Sequence, residues 1–239
     1  MATPQTTGTT AFLPDISEVV EEAFERAGKE SRTGYDFRSA RRSLNLLTIE
    51  WINRGLNLFT IDSNTITLVA GTATYTLPLD TVDLLDFNIR TGSGTTQQDI
   101  TISRISSSQY SNIPNKNSTG RPLQVWVQRL TGATDNTAVV HAPQITLWPV
   151  PDTSIPYTFV YWRMRRIQDA GNGPNAMDIP FRFYPPLVAG LAYYIAMKIP
   201  GAEQRATALK LVYDEQFKLA AEEDRERAPV RFVPLQSPV

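Results

Sequence analysis

The segment YPPLVAGLAYYIAM at residues 184–197 contains no charged side chain, and it decides how the rest of the chain must be arranged. A helix of this composition is apolar on nearly all sides, so other segments have to cover it. Pro180, Pro185 and Pro186 fall before or within its first turn, where a missing N–H costs little, and Pro200-Gly201 ends it. The segment therefore predicts a buried central helix that is bounded at both ends.

The residues that follow, 203–227, predict a second helix with one wet face. Its apolar side chains recur at three- and four-residue spacing: Ala206, Leu209, Tyr213, Phe217 and Ala220. Lys210, Asp214 and Lys218 fall on the opposite side. The two helices form a hairpin whose first arm requires further helices around it.

Two amphipathic helices are predicted near the N-terminus, the only other helical part of the sequence. Asp15 and Glu18 have the spacing of a capping box, and the apolar face that follows runs to Gly28. The next helix is expected to begin at Asp36 as its N-cap and to continue to about Leu58. These helices are the natural cover for the central one.

Between residues 61 and 177 the hydrophobic period changes from helical to alternating. Residues 65–69 and 72–77 alternate on either side of Ala70-Gly71, which predicts a β-hairpin. Further strands are predicted at residues 82–90, 99–105, 123–130, 144–148 and 157–163, with one helical turn at 106–110.

Together these patterns predict an α+β fold: a four-helix bundle, built from the N- and C-terminal segments, with an inserted, mainly antiparallel β-sandwich or β-barrel domain. The predicted domains are a flexible leader at 1–14, the helical bundle at 15–60 and 178–227, the β-domain at 61–177 and an extended C-terminal tail at 228–239.

Composition argues against several classes of protein. The 239 residues include no Cys and one His, which excludes thiolate metal sites and makes a His-dependent triad or a zinc site improbable. A net charge of −1 is not the basic footprint of a nucleic-acid binder. No apolar run is long enough to cross a bilayer and no secretion signal is visible, so we expect no membrane partner.

Catalytic and nucleotide-binding motifs are not apparent, and no cofactor or metal is expected. The sequence has no phosphate-cradling glycine motif, no H-E-x-x-H and no G-x-S-x-G. Asp80, Asp83 and Asp86 offer carboxylates for glycoside hydrolysis, but a spacing of three in a strand places successive members on opposite faces. Trp126, Trp148 and Trp162 leave a glycan-binding role open, although such aromatic residues are usually core.

Candidate partner-binding residues lie in two arginine clusters and in the tail. They are Arg38, Arg41 and Arg42; Arg163, Arg165 and Arg166; and Arg231, Phe232, Val233 and Leu235. The first cluster could instead pair with Glu21 and Glu22, and the second could guard a solvated sheet edge. The apolar tail residues have no core of their own, so they either dock on a partner or fold back on the chain's own helices.

The layout resembles the head-to-tail adaptor family of short-tailed bacteriophages, also called connector or tail tubular protein A. The resemblance rests on these phrases: Trp51-Ile-Asn-Arg, Tyr75-Thr-Leu-Pro-Leu-Asp, Leu147-Trp-Pro-Val-Pro followed by Tyr157-Thr-Phe-Val-Tyr, and Asp178-Ile-Pro before the helix at 187–197. It spans most of the chain.

The resemblance implies a structural protein of the virion neck, assembled in the host cytoplasm. Members form a homo-oligomeric ring, typically of twelve copies, between the portal protein and the tail nozzle protein, and DNA passes through without specific binding. The C-terminal extension is expected to reach the portal, and the β-domain to face the nozzle. The alternatives are a tail-associated cell-wall-degrading enzyme and a glycan-binding tail component.

Overall fold

A computed structural model describes residues 7–10, 12–30, 33–55, 58–153 and 155–225. Five helices are present in this part: α1 (Ile16–Ala27), α2 (Gly34–Arg54), α3 (Ser107–Ser111), α4 (Tyr184–Ala196) and α5 (Glu203–Glu223). The eight strands are β1 (Ile61–Thr67), β2 (Thr74–Thr76), β3 (Thr81–Thr91), β4 (Gln98–Thr101), β5 (Ser103–Ile105), β6 (Gln124–Gln128), β7 (Gln144–Trp148) and β8 (Tyr157–Arg165).

The chain divides into two compact units. A helical unit consists of the described residues of Met1–Phe59 and Ile167–Val239, and a β unit consists of those of Thr60–Arg166. Ile167 and Ala170 follow β8 directly, yet their side chains are buried in the core of the helical unit. The chain thus changes units immediately after the last strand.

Helix α1 forms as its sequence predicts. Asp15 Oδ1 accepts the Glu18 backbone N–H at 2.9 Å and Glu18 Oε2 accepts the Asp15 N–H at 3.0 Å, which confirms the capping box. Gly28 ends the helix at φ 81°, a left-handed conformation that favours glycine. The face between these caps is buried.

Helix α2 begins earlier than predicted. Its N-cap is Thr33, whose hydroxyl accepts the Asp36 N–H at 3.2 Å, so the prediction of Asp36 as the cap is wrong. Asp36 lies in the first turn instead, where its carboxylate is close to the helix N-terminus and accepts hydrogen bonds from Lys29 Nζ at 2.8 Å and Thr33 Oγ1 at 3.0 Å. Thr and Asp are both good caps, and local sequence does not choose between them.

Helix α4 is the centre of the helical unit. Its side chains from Pro186 to Ala192 are all buried, and it packs against α1, α2 and α5. Gly190 permits a close approach: a Cβ placed there would lie 2.9 Å from Leu47 Cδ1 and 2.9 Å from Tyr213 Cε2. The central helix predicted from the uncharged segment is therefore confirmed.

A polar network joins α2, α4 and α5 beside this core. Trp51 Nε1 donates to the Tyr213 hydroxyl at 2.9 Å, and the Tyr213 and Tyr194 hydroxyls donate to Glu50 at 3.3 and 2.9 Å. Arg54 forms ion pairs with Glu50 at 2.6 Å and with Asp214 at 3.1 Å. Burial, and then the hydrogen bond to Glu50, raise the pKa of Tyr194 to about 12, so its hydroxyl stays a donor at neutral pH.

The β unit has two four-stranded sheets, ordered β1-β8-β3-β4 and β2-β7-β6-β5. The pairs are antiparallel except for β5 with β6. Buried side chains of both sheets, including Phe87, Phe159, Ile145 and Leu147, form one core. Neither sheet closes into a barrel within the described residues, so the barrel alternative is not found.

Two details of the strand prediction are wrong. The segments around Ala70-Gly71 do not form a hairpin, because β1 pairs with β8 and β2 pairs with β7 in the other sheet. The predicted strand at 99–105 is divided at Ile102 into β4 and β5, which also belong to different sheets. Alternation predicts which side chains share a face, but it does not identify the strand partner.

The predicted α+β class is confirmed, whereas the four-helix bundle stays a prediction. No helix among the described residues is both long enough and apolar enough to span a membrane.

We predict that Gly190→Ala lowers the free energy of unfolding of the helical unit by about 1–2 kcal/mol, because the added methyl group collides with buried Leu47 and Tyr213. Gly34→Ala is the matched control. Its Cβ would meet only Arg38 Nη1, at 3.6 Å, so the substitution should be neutral or slightly stabilising. Urea unfolding followed by circular dichroism measures both; equal midpoints for G190A and the unmodified protein would contradict the packing described for α4.

Candidate interaction surfaces

The acidic residues considered for catalysis are occupied by structural contacts. Asp80 pairs with Arg163, and Asp83 pairs with Arg104 at 2.9 Å and with Arg129 at 3.5 Å. Asp86 accepts the N–H of its own neighbour, Phe87, at 2.8 Å. No group of three or more His, Asp or Glu side chains suited to hold a metal ion occurs among the described residues.

Arg163 lies inside the β unit. Its side chain is 8% exposed, and it donates to Asp80 at 2.5 Å, Thr81 at 3.0 Å and Asp62 at 3.3 Å. Strand β8 lies between β1 and β3, so the interpretation of this cluster as the guard of a sheet edge is wrong. Arg163 instead holds together the start of β3, the start of β1 and β8.

The ion pair affects the ionisation of Asp80. Burial disfavours the charged carboxylate, but the hydrogen bond and the charge of Arg163 outweigh burial and lower the pKa of Asp80. Arg165 supports the same site through its own ion pair with Asp62 at 3.3 Å. Arg166 is exposed at the end of β8.

The arginines at the start of α2 have a different environment. Arg38 and Arg42 are exposed and Arg41 is half-buried. Within the described part of the chain, none of the three guanidinium groups has a hydrogen-bond or ion-pair partner. The alternative pairing with Glu22 is not found, since Glu22 pairs with Arg26 at 2.7 Å.

Lys198 adds a fourth cation beside this cluster. Its Nζ donates to Ser43 Oγ at 2.5 Å and to Ser39 Oγ at 3.0 Å, which holds it against α2. Burial, and then the charge of Arg42, lower the pKa of Lys198. This end of the helical unit is therefore a basic patch, defined as Arg38, Arg41, Arg42 and Lys198.

Helix α5 carries large apolar side chains on two sides. Its inner face packs as predicted, with Ala206, Tyr213 and Ala220 buried and Leu209 and Phe217 partly buried. The outer face, predicted to be wet, also carries large apolar side chains: Leu211 is 69% exposed, Val212 44% and Leu219 55%. We call these three residues the α5 stripe.

Helix α2 carries a smaller apolar surface of the same kind. Leu46 is 56% exposed and Ile49 is 40% exposed, and their spacing of three places them on one side of the helix. We call this pair the α2 stripe. Large exposed apolar patches on a folded protein mark interaction sites, whereas single exposed apolar residues are common.

The tryptophans considered for glycan binding have local partners. Trp126 stacks on Tyr110 with ring centroids 5.0 Å apart, and Trp148 Nε1 donates to the Asn115 carbonyl at 3.0 Å. The tail residues Arg231, Phe232, Val233 and Leu235 lie outside the described residues.

A comparison with protein families shows to which family the chain belongs. A family model described as SU10 adaptor protein matches residues 12–233. The chain belongs to the SU10 adaptor protein family. Members of this family are phage structural adaptors, so this adaptor is a structural component of the virion. No curated protein matches the chain.

The family match supports the predicted role as a phage adaptor. The narrower likeness to tail tubular protein A stays a prediction. The α2 and α5 stripes were missed by sequence reasoning. A signal for the α5 stripe was present, since Leu211, Val212 and Leu219 fall outside the apolar face that was assigned to that helix.

We predict that Asp80→Asn lowers the melting temperature of the β unit at pH 7 by about 2–4 °C, which corresponds to at most about 1 kcal/mol because water screens the half-exposed carboxylate. The pKa of Asp80 is lower in the folded protein than in the unfolded chain. The stabilisation by its ion pair is therefore complete above the pKa of the unfolded chain, and it is lost as pH falls through the pKa of the folded protein. The difference in melting temperature should therefore shrink from about pH 4 downwards.

Asp86→Asn is the control, because its carboxylate forms no ion pair with any described residue. Calorimetry at several pH values measures the three proteins, and a D80N deficit that persists undiminished at pH 2 would contradict the assigned role of the ion pair.

Proposed function

We propose that this adaptor forms a homo-oligomeric ring between the portal protein and the tail nozzle protein, through which DNA passes. Membership of a family of phage structural adaptors supports this role. The observation that carries the ring is the exposed α5 stripe on a helix whose other face is already packed.

The α5 stripe is costly to leave in water. Covering Leu211, Val212 and Leu219, which are between 44% and 69% exposed, is worth about 3 kcal/mol per contact before the costs of association. This free energy is too small for a stable dimer by itself, but every interface of a closed ring contributes it again. A contact free energy of this size suits a protein that is monomeric when free and assembles on a template.

The two stripes favour head-to-tail packing. They lie on different helices and have different residues, so pairing the α2 stripe of one copy with the α5 stripe of the next is a heterologous contact. Heterologous contacts that repeat around a rotation axis generate rings. In this proposal the helical parts, residues 15–60 and 178–227, pack side by side, and the β-domain at 61–177 is presented to the nozzle.

Charge supports the remaining contacts. A net charge of −1 suits a channel wall along which DNA slides, since a strongly basic lumen would hold the phosphates.

The basic patch around Arg42 has no acidic partner in the described part of its own chain and suits an acidic surface of a neighbouring protein. Arg166 and the tail residues Arg231, Phe232, Val233 and Leu235 are proposed as further contacts, the tail with the portal.

The test is assembly with the portal protein of the same phage. We expect the unmodified adaptor to be monomeric alone and to give rings on the portal in electron micrographs. Leu211→Glu and Leu219→Glu should each reduce the fraction of decorated portals by about tenfold or more, because a buried unpaired charge costs several kcal/mol.

Val69→Glu is the matched control, since Val69 is 60% exposed and belongs to the β unit, whereas both stripes belong to the helical unit. Circular dichroism melts verify that all variants are folded. Portals decorated equally by L211E, L219E and V69E would rule out the α5 stripe as the ring contact.

A further inference from the structure

An apolar groove with an acidic rim lies between α1 and the start of α4. Its volume is about 710 Å³. The apolar lining includes Phe12, Val19, Phe181 and Val188, and the rim includes Glu21 and Glu25. Phe12 is 78% exposed and Phe181 75% exposed, so two aromatic side chains stand in water on this surface.

The rim has negative charge that is not neutralised. Glu22 pairs with Arg26 and Glu18 takes part in the capping box, but the carboxylates of Glu21 and Glu25 have no partner among the described residues. These two residues are four apart on α1, where like charges repel each other. A cation placed between them would remove the repulsion.

The end of α5 is held against the segment that leads into α4. Asp224, the residue after α5, is buried; its carboxylate accepts the Leu58 N–H at 2.8 Å and forms an ion pair with Arg182. Arg182 is adjacent in sequence to Phe181 of the groove. The end of α5 therefore lies against the turn at residues 181–183, which leads into α4 and includes Phe181 of the groove.

The sequence after Asp224 has the complementary chemistry. Residues 225–239 include three arginines and one acidic residue, and Arg231 is followed directly by Phe232 and Val233. Phe232 lies eight residue steps beyond Asp224, which can span up to about 27 Å, whereas the stretch of α1 along the groove, from Glu18 to Arg26, is only about 12 Å long. The segment is therefore long enough to extend along the groove of its own chain.

We propose that the C-terminal segment around residues 231–235 docks in this groove of its own chain, with Arg231 between Glu21 and Glu25 and with Phe232 on the apolar lining. The docking does not depend on the role in the virion. It gives the free protein a cover for its exposed aromatic residues, and it means that a portal protein binding the same segment must first displace it.

Disulfide trapping in the full-length chain tests this docking. The chain has no native Cys, so a designed pair is the only source of a disulfide. Pro185→Cys places a thiol on the exposed groove lining, and Gln236→Cys places one just beyond the apolar tail residues. Glu215→Cys with Gln236→Cys is the matched control, since Glu215 is exposed on α5 about 14 Å along the helix from Asp224.

We expect the groove pair to oxidise at least about tenfold faster than the control pair, as a monomer on non-reducing gels, because docking raises the effective concentration of the thiols. A disulfide-linked dimer would overturn the proposal by placing the segment of a second copy in the groove. Equal rates for the two pairs would overturn it by showing that nothing docks there.

Charge exchange tests the contact between Arg231 and the rim. In the groove pair, Arg231→Glu should slow oxidation by about tenfold, and Glu21→Lys with Glu25→Lys in addition should restore it. The control pair should be insensitive to all three substitutions. An unchanged rate in R231E would overturn the assigned ion pairs, and failure of the double lysine variant to restore the rate would do the same.

Discussion

The fold of this adaptor depends on the cover of one uncharged helix. Helix α4 has no face suited to water, so α1 and α2 from one end of the chain and α5 from the other pack against it. The close approach at Gly190, where Leu47 and Tyr213 meet the helix backbone, shows how tightly this cover fits. Because distant parts of the chain supply the cover, the intervening residues can form a separate β unit without disturbing it.

The same arrangement determines what α5 presents to its surroundings. Trp51, Glu50 and Arg54 on α2 engage Tyr213 and Asp214, which fixes the rotation of α5 about its own axis. With that rotation fixed, Leu211, Val212 and Leu219 point away from the core. A helix that is buried on one side and carries exposed apolar side chains on another is suited to bind a partner surface. In the proposed ring, one helix thus links core packing to assembly.

The sequence allowed the helical unit to be predicted well, because its signals are local. The capping box of Asp15 and Glu18, the stop at Gly28 and the uncharged segment of α4 each correspond to an observed feature. Strand partners could not be predicted in this way: β1 and β2 are neighbours in sequence but belong to different sheets, and only tertiary packing decides that. The outward apolar residues of α5 could be read in the sequence. Their exposure could not be predicted, because it depends on which face of the helix is packed against the core.

Hydrogen exchange at individual amides tests most directly whether the cover of α4 organises the helical unit. Amides of buried α4 residues from Leu187 to Ile195 should exchange only when the whole helical unit unfolds, with the same denaturant dependence as global unfolding. Amides of α3, a short helix with no buried residue, provide the fast reference. If the α4 amides exchange as rapidly as those of α3, the central helix is not the element on which the fold depends.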